Sequence, residues 1–490
     1  MRVVQNLQMQ LGEVDISAIE IDSKSRDDIP RILRGLQYLY MNTEVREAIF
    51  QLLEEKIAPK VSKDNGRPGM TLWRIMVAGT LRLDLNEDYD RLQELVNRHE
   101  TIRQMLGHSD YDKTRYHFKT LRDNVSLFTP ELADEINQIV VKAGHALLKK
   151  KPGDGLRGRC DSFVVETDVH FPTDISLLFD AMRKVITLTA ELSADYELSD
   201  WRQHAYNVKH LKRLMRAAQS KKRRKANSEE GEAKRQALIE KAHQDYLDAA
   251  QHYLDKARGT LVKLNQQGLT SILDIARTNE IEDYMAHAVR QIDQTKRRVI
   301  LSEVIPHAEK VFSIFEPHTE WVVKGKAGVP VELGIRVSIL EDQYQFILYH
   351  EVMEKKTDDQ VAVPMVKEAK KRFPDLNVCS FDKGYHSPAN QAALTESLET
   401  VALPRKGKLS KEAQALEQSD AFVKARRKHA AVESAINALE VHGLDRCLDH
   451  GINGFKRYVA MAVLARNIHR IGDILRRQDR EREKRKRKYA

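Results

Sequence analysis

The sequence predicts an α/β protein: an all-helical N-terminal domain, then a mixed sheet whose first strand is followed by a large helical insertion. Three observations carry this. Helical periodicity broken by turn signals fills residues 1–150. A β-rich run at 155–174 interrupts it, and helix resumes over 175–310. From 311 to 475 strand-like and helix-like segments alternate, the order of a mixed sheet.

In the first segment, "TEVREAIFQLLEEKI" places Val45, Ile49 and Leu52 on one helical face behind Thr43 as a cap. The loop "KDNGRPG" interrupts it, and "NEDYDRLQELVNRH" resumes behind Asn86, a second candidate cap. Gly107 stops the helix of "TIRQML". A small helical unit of this kind serves dimerisation or DNA docking.

The strand expected at 155–174 rests on Phe163, Val164, Val165 and Val169, ended by "FPTD". In the insertion, Leu238, Ala242, Tyr246, Ala249, Tyr253, Ala257 and Leu261 recur at three- and four-residue steps. A second helix, bearing Ile281, Met285, Ala288 and Ile292, is expected to pack antiparallel to it. Before them, "VKHLKRLMRAAQSKKRRKANSEEGE" is a dense basic run that flips to acidic. A solvated helix end and a phosphate-binding surface both explain it.

Beyond 320, "VELGIRVSIL" and "YQFILYHEVM" read as a β-hairpin. "DDQVAVPMVKEAKKRF" reads as a capped helix, "LNVCSF" as a short buried strand delivering Asp382, and "SPANQAALTESL" as a helix with Ser387 as cap and Pro388 at its first position. "TVALP" is a further strand, followed by the basic loop "RKGKLSK". The last 15 residues, 476–490, form a basic tail.

Composition narrows the function classes. Hydrophobic residues are 41% and charged residues 31%, with mean hydropathy −0.53, and no apolar run is long enough to span a bilayer. The N-terminus shows no signal-peptide core, and the three scattered cysteines form no disulfide framework. A cytoplasmic protein is expected. A net charge of +9 suits a polyanionic partner.

Acids at strand ends of an α/β sheet suggest a site for a hard divalent cation, which takes oxygen ligands. Asp382 is one candidate, and on the first strand Asp161, Asp168 and Asp174 compete. If "KARRKHAAVESAINALEVHGLDR" is helical, Arg426, His429, Glu433, Asn437 and Glu440 share its polar face, while Val432, Ile436 and Leu439 face the core. A glutamate preceded by Arg426, Arg427 and Lys428 reads either as an anionic ligand beside a phosphate-binding cluster or as part of an ordinary amphipathic helix with i, i+4 pairs. The group His442, Cys447, Asp449 and His450 fits no familiar zinc spacing and reads as structural. There is no Walker-type phosphate loop.

Four separated segments, "CDSFVVETDVHFPTD", "VFSIFEPHTEWVVKGKAG", "FDKGYHSPAN" and "HAAVESAINALEVHGLDRCLDHGINGFKRYVA", together resemble the DDE transposases of bacterial insertion sequences. The likeness runs over roughly residues 70–470. It implies an RNase H-like catalytic fold, a site for Mg²⁺ or Mn²⁺, and two-metal cutting and joining of double-stranded DNA at transposon ends, by a homodimer on DNA in a prokaryotic nucleoid. Matched to the family's pattern, the catalytic and metal-binding acids are Asp161, Asp382 and Glu433, with Asp168 in reserve for the first. Given such an activity, the basic segments and the turn after Asp382 are expected to grip DNA through Lys222, Arg223, Arg224, Lys383, His386, Arg405, Lys406, Arg426, Arg427, Lys428 and His429. The chain departs from some relatives around the glutamate. It has His429 four places before Glu433 and Glu440 seven after, where Tyr, Arg or Lys stand in those relatives. The competing expectations are an RNase H-like nuclease that cuts without joining, a transposase-derived DNA-binding protein without catalysis, and a helical scaffold.

Overall fold

The computed structural model describes residues 2–5, 8–57, 69–151, 153–222, 228–269, 271–323, 330–407 and 409–489. Seven helices come first: α1 (Ile29–Met41), α2 (Thr43–Ile57), α3 (Leu72–Asp84), α4 (Tyr89–Arg98), α5 (Glu100–Met105), α6 (Phe118–Val125) and α7 (Pro130–Leu147). Strand β1 (Leu156–Thr167) follows, then α8 (Asp174–Asp195), α9 (His204–Lys222), α10 (Glu229–Gln267) and α11 (Ile272–Val299). The next elements are β2 (Glu320–Val323), β3 (Val331–Glu341), β4 (Ile347–Val352), α12 (Asp358–Arg372), β5 (Leu376–Phe381), α13 (Pro388–Ser397) and β6 (Thr400–Ala402). The chain closes with α14 (Lys411–Glu417), α15 (Asp420–His429), α16 (Ala431–Leu439), β7 (Arg446–Cys447) and α17 (Gly451–Tyr489). Two compact units result, Met1–Asp168 with Glu320–Ala490, and Val169–Thr319.

The first unit holds the mixed sheet, in the order β2-β3-β1-β5-β6, with β4 also on β3 and β7 also on β1. Strands β2 and β4 run antiparallel to β3, and β3 antiparallel to β1. Strands β5, β6 and β7 complete it in parallel pairings. Alternation in β1 sends Cys160 and Val164 to one face and Asp161, Phe163 and Val165 to the other. The N-terminal helices share one continuous core with the sheet, running through Leu36, Trp73, Val141, Phe346, Phe381 and Ile468. Helix α17 ties them together. Asn467 accepts from the Ile347 N–H at 2.9 Å and donates to Asn137 at 2.7 Å, so α17, β4 and α7 satisfy one another's buried polar groups. The basic tail at 476–489 continues this helix to Tyr489.

Local signals explain most boundaries. Thr357 and Gln360 form a capping box at α12, and Ser387 accepts from the Asn390 N–H ahead of α13, with Pro388 at its first position. Asn86 is not a cap. It sits at φ +54 in a left-handed turn, a conformation Asn tolerates, and Asp88 caps α4 by accepting from Arg91 N at 2.7 Å. Asn42, rather than Thr43, precedes α2 and accepts from Val45 N.

The second unit is helical. Tyr246, Tyr253, Ala257 and Leu261 of α10 pack with Met285 and Ala288 of α11 and with Leu178 and Met182 of α8. Leu238 is exposed and Ile239 takes the buried position, a phase shift of one residue at the start of the stripe. The flip from basic to acidic marks the start of α10: Ser228 caps it, and Glu229, Glu230 and Glu232 face its positive end. Glu316 is buried here, 3.5 Å from His318.

Candidate active site

The register of the central strands brings the first two predicted acids together. Cys160 of β1 pairs with Phe381, the last residue of β5, so the next residues on the two parallel strands are Asp161 and Asp382. The Asp161 carboxylate accepts from the Ser162 N–H at 2.8 Å. Its pKa is pushed up to about 6, first by burial and also by the charges of Asp382, Asp358 and Glu433, against the opposing Ser162 N–H. Glu433 lies in the first turn of α16, which packs on β1 through buried Val432, Ala435 and Leu439.

Asp168 has other company. It is exposed beyond the end of β1, where Arg446 of β7 lies 3.7 Å from it and 3.3 Å from Glu166. Asp174 opens α8 in the second unit and pairs with Arg298 at 2.9 Å. Among the described residues, none of Asp161, Asp382 and Glu433 has an ion-pair partner. Asp382 and Glu433 lie within electrostatic reach of Asp161, but among the described residues the three acids do not bring one ligand atom each within 4.8 Å of one another.

A fourth carboxylate has no signature in the sequence. Asp358, the first residue of α12, accepts from the Ser162 hydroxyl at 2.7 Å. A Cβ at Gly384, two residues after Asp382, would meet its Oδ2 at 2.8 Å. Arg336 stands 3.8 Å from it. Within its own segment Asp358 reads as a helix-start residue, and only the fold shows that it lies within electrostatic reach of Asp161.

His429 ends α15, and Ala430 separates it from α16, so the polar face expected on one helix is split between two. Its Nδ1 lies 3.1 Å from the Ser380 hydroxyl. Burial lowers its pKa against the pull of Asp382 and Glu433, while Arg159 adds to the lowering. Lys406 donates to the Gly384 carbonyl at 3.0 Å, and Arg405 and Lys406 join burial in lowering the His386 pKa. These groups therefore border the Asp382 turn, and Lys383 is exposed on it. Arg426, Arg427 and Lys428 are exposed on α15, with Arg426 3.9 Å from Glu417. Tyr385 is buried, its hydroxyl 2.8 Å from that of Ser338, and so packs beneath the turn rather than lining it. Arg223, Arg224 and the Lys222 side chain lie outside the described residues.

A second cluster, of two histidines and an acid, lies among α3, the segment that follows α16, and α17. Asp84, His442 and His469 bring one ligand atom each within 4.8 Å of one another. His469 Nδ1 meets the Asp84 carboxylate at 2.9 Å, and His442 Nδ1 hydrogen-bonds the Asp84 carbonyl. Burial would lower the His469 pKa, but Asp84 outweighs it and raises it. Asp449 is likewise held by Arg82 and Arg457, each at 2.8 Å.

A mainly basic cleft of about 440 Å³ forms where Lys24, Arg26 and Arg31 meet Arg480, Glu483 and Lys484 of α17, with Arg31 also 3.2 Å from Asp28. Arg476 and Arg480 fix its shape by donating to the Ser23 carbonyl at 3.0 and 3.1 Å. Among the described residues no helix is long and apolar enough to cross a membrane. No protein-family model, curated protein or solved structure matches the chain.

Proposed function

We propose that this protein is a DDE transposase that cuts DNA at transposon ends and joins the freed 3′ ends to target DNA. The observation that carries the reading is the parallel register that sets Asp161 beside Asp382, with Glu433 within electrostatic reach. The strand order β4-β3-β1-β5-β6, antiparallel on one side of β1 and parallel on the other, supports an RNase H-like catalytic fold.

Asp161, Asp382 and Glu433 would hold Mg²⁺ or Mn²⁺, which when bound supplies activation of the attacking oxygen and stabilisation of the leaving one. The protein's own groups do the rest. Ser162 orients the Asp161 carboxylate through its N–H and ties Asp358 to the same place through its hydroxyl. Lys383, His386, Arg405 and Lys406 border the Asp382 turn, where they meet phosphates. The cleft at Lys24, Arg26 and Arg480 offers a further polyanion contact. On this reading the protein works as a homodimer on double-stranded DNA in the prokaryotic cytoplasm, since two ends must be cut together.

Incubation with labelled DNA from the flanks of the encoding gene, in Mg²⁺, tests this. Joined products carrying the labelled strand are expected. Cleavage without joined products would favour the nuclease reading, and binding without cleavage would favour a DNA-binding protein that has lost catalysis.

A further inference from the structure

Helix α15 does not close down fully on the sheet. Between it and strands β1, β5 and β6 lies a cavity of about 250 Å³. Protein interiors seldom leave such a space, and roughly 150 Å³ of apolar cavity already accepts a benzene ring. The space exists because the helix presents Ala421 and Ala425, one turn apart, to Val378 and Thr400 of the sheet.

The rim is cationic. Lys424 and Lys428 stand one turn apart on α15, and Arg157 and Arg159 lie two residues apart on β1, on the face that carries Asp161. Arg159 is committed to Glu341 at 2.7 Å. Arg157, Lys424 and Lys428 are in no ion pair among the described residues. A largely apolar slot, with Gln343, Ser380 and Thr400 also in its wall and three uncommitted cations at its mouth, matches a molecule that is an aromatic ring at one end and an anion at the other.

The slot also has an address. Its wall includes Ser380, which faces His429 at 3.1 Å and lies two residues before Asp382 on β5. We propose that this cavity is a nucleotide subsite, holding one nucleobase between α15 and the sheet with its phosphate on Lys424, Lys428 and Arg157. It deepens the polynucleotide reading above and rests on it for its role: the occupant would be an unstacked nucleotide next to the phosphate that reacts. The apolar contacts offered by Ala421, Ala425 and Val378 suit the face of any of the four bases.

The test is direct binding of each of the four deoxynucleoside monophosphates to the full-length protein, by calorimetry in EDTA. The matching nucleosides and inorganic phosphate run alongside. Saturable binding of a monophosphate is expected, tighter than its nucleoside or phosphate alone. Ala425→Phe, which fills the slot, should weaken it at least about tenfold. The double variant Lys424→Ala/Lys428→Ala should weaken the monophosphate and leave the nucleoside unchanged; it keeps the test informative if Ala425→Phe does not fold. No binding at millimolar nucleotide, phosphate binding as tightly as nucleotide, or binding indifferent to both variants would overturn the proposal. Because the assay needs neither metal nor cleavage, a protein that binds nucleotide here yet never cuts DNA would count against the transposase reading alone.

Discussion

The hydroxyl of Ser162 donates to Asp358 at 2.7 Å while the N–H of the same residue donates to Asp161 at 2.8 Å. One small residue thus couples the first acid of the site to the start of α12. Outer partners of this kind orient the groups that act, and their loss typically costs roughly 10–100-fold in metal affinity or activity. Ser162→Ala should therefore lower metal-dependent cleavage by that order without changing the melting temperature appreciably. Steady-state cleavage rates and a Mn²⁺ titration check it; an unaltered metal dependence would show that Ser162 plays no such part.

Gly384 makes a related demand. A methyl there would stand 2.8 Å from Asp358 Oδ2. Gly384→Ala should displace the Asp358 carboxylate and lower cleavage, while Lys383→Ala, on the exposed side of the same turn, should weaken DNA binding instead. Separate kcat and KM measurements distinguish the two effects.

The Asp84–His469 pair makes stability depend on pH. The folded pKa of His469 is raised above its ordinary 6.5, so its stabilisation is fully present below about pH 6.5 and is lost as pH rises through the folded value. Removing the imidazole leaves the buried Asp84 without that partner, a change that costs about 3–5 kcal/mol. His469→Ala should lower the melting temperature most at mildly acid pH, with the difference shrinking as the solution is made alkaline. Thermal melts across that range check the sign.

Two glycines let α1 and α17 pack backbone to backbone. A Cβ on Gly35 would lie 2.1 Å from the Ile468 carbonyl oxygen, and one on Gly472 would lie 1.9 Å from that of Arg31. Backbone cannot swing aside as a side chain does, so Gly35→Ala and Gly472→Ala should each destabilise by at least about 1–3 kcal/mol. Denaturant unfolding measures this, and a neutral result would contradict the close approach.

The cleft at Lys24, Arg26, Arg31, Arg480 and Lys484 should contribute to affinity through phosphates alone. Replacing Lys24 and Arg26 by Gln should weaken binding about equally on all DNA sequences. It should also reduce the slope of log K against log salt by roughly one for each phosphate no longer neutralised. Anisotropy titrations at several salt concentrations give both quantities.

Much of the fold was legible because its signals are local. The strand at 156–167, the hairpin, the capping box at Thr357 and the Ser387–Pro388 helix start all declare themselves within a few residues. Asp382 was visible for the same reason, as a carboxylate where an apolar run ends. Asp358 was not, because its meaning lies in a hydrogen bond to a residue 196 positions away. The pairing of Asp84 with His469 spans 385 positions and was equally hidden. Nor could periodicity show the break at Ala430, whose backbone stays in the helical region while the two helices part. The cavity beneath α15 depends on where two alanines fall over a sheet, which no pattern in the sequence encodes.

Asp161, Asp382 and Glu433 are proposed to act as one metal-dependent site, and on this everything else depends. Cleavage of the flanking DNA in Mg²⁺ should be compared for the wild type, Asp161→Asn, Asp382→Asn and Glu433→Gln, with Asp168→Asn as the control. Each of the three changes should lower activity by on the order of 10²–10³-fold or more, as loss of a group that stabilises transition-state charge does, and Asp168→Asn should keep it. Activity that survives Asp382→Asn and Glu433→Gln, or that is lost in Asp168→Asn and kept in Asp161→Asn, would overturn the assignment.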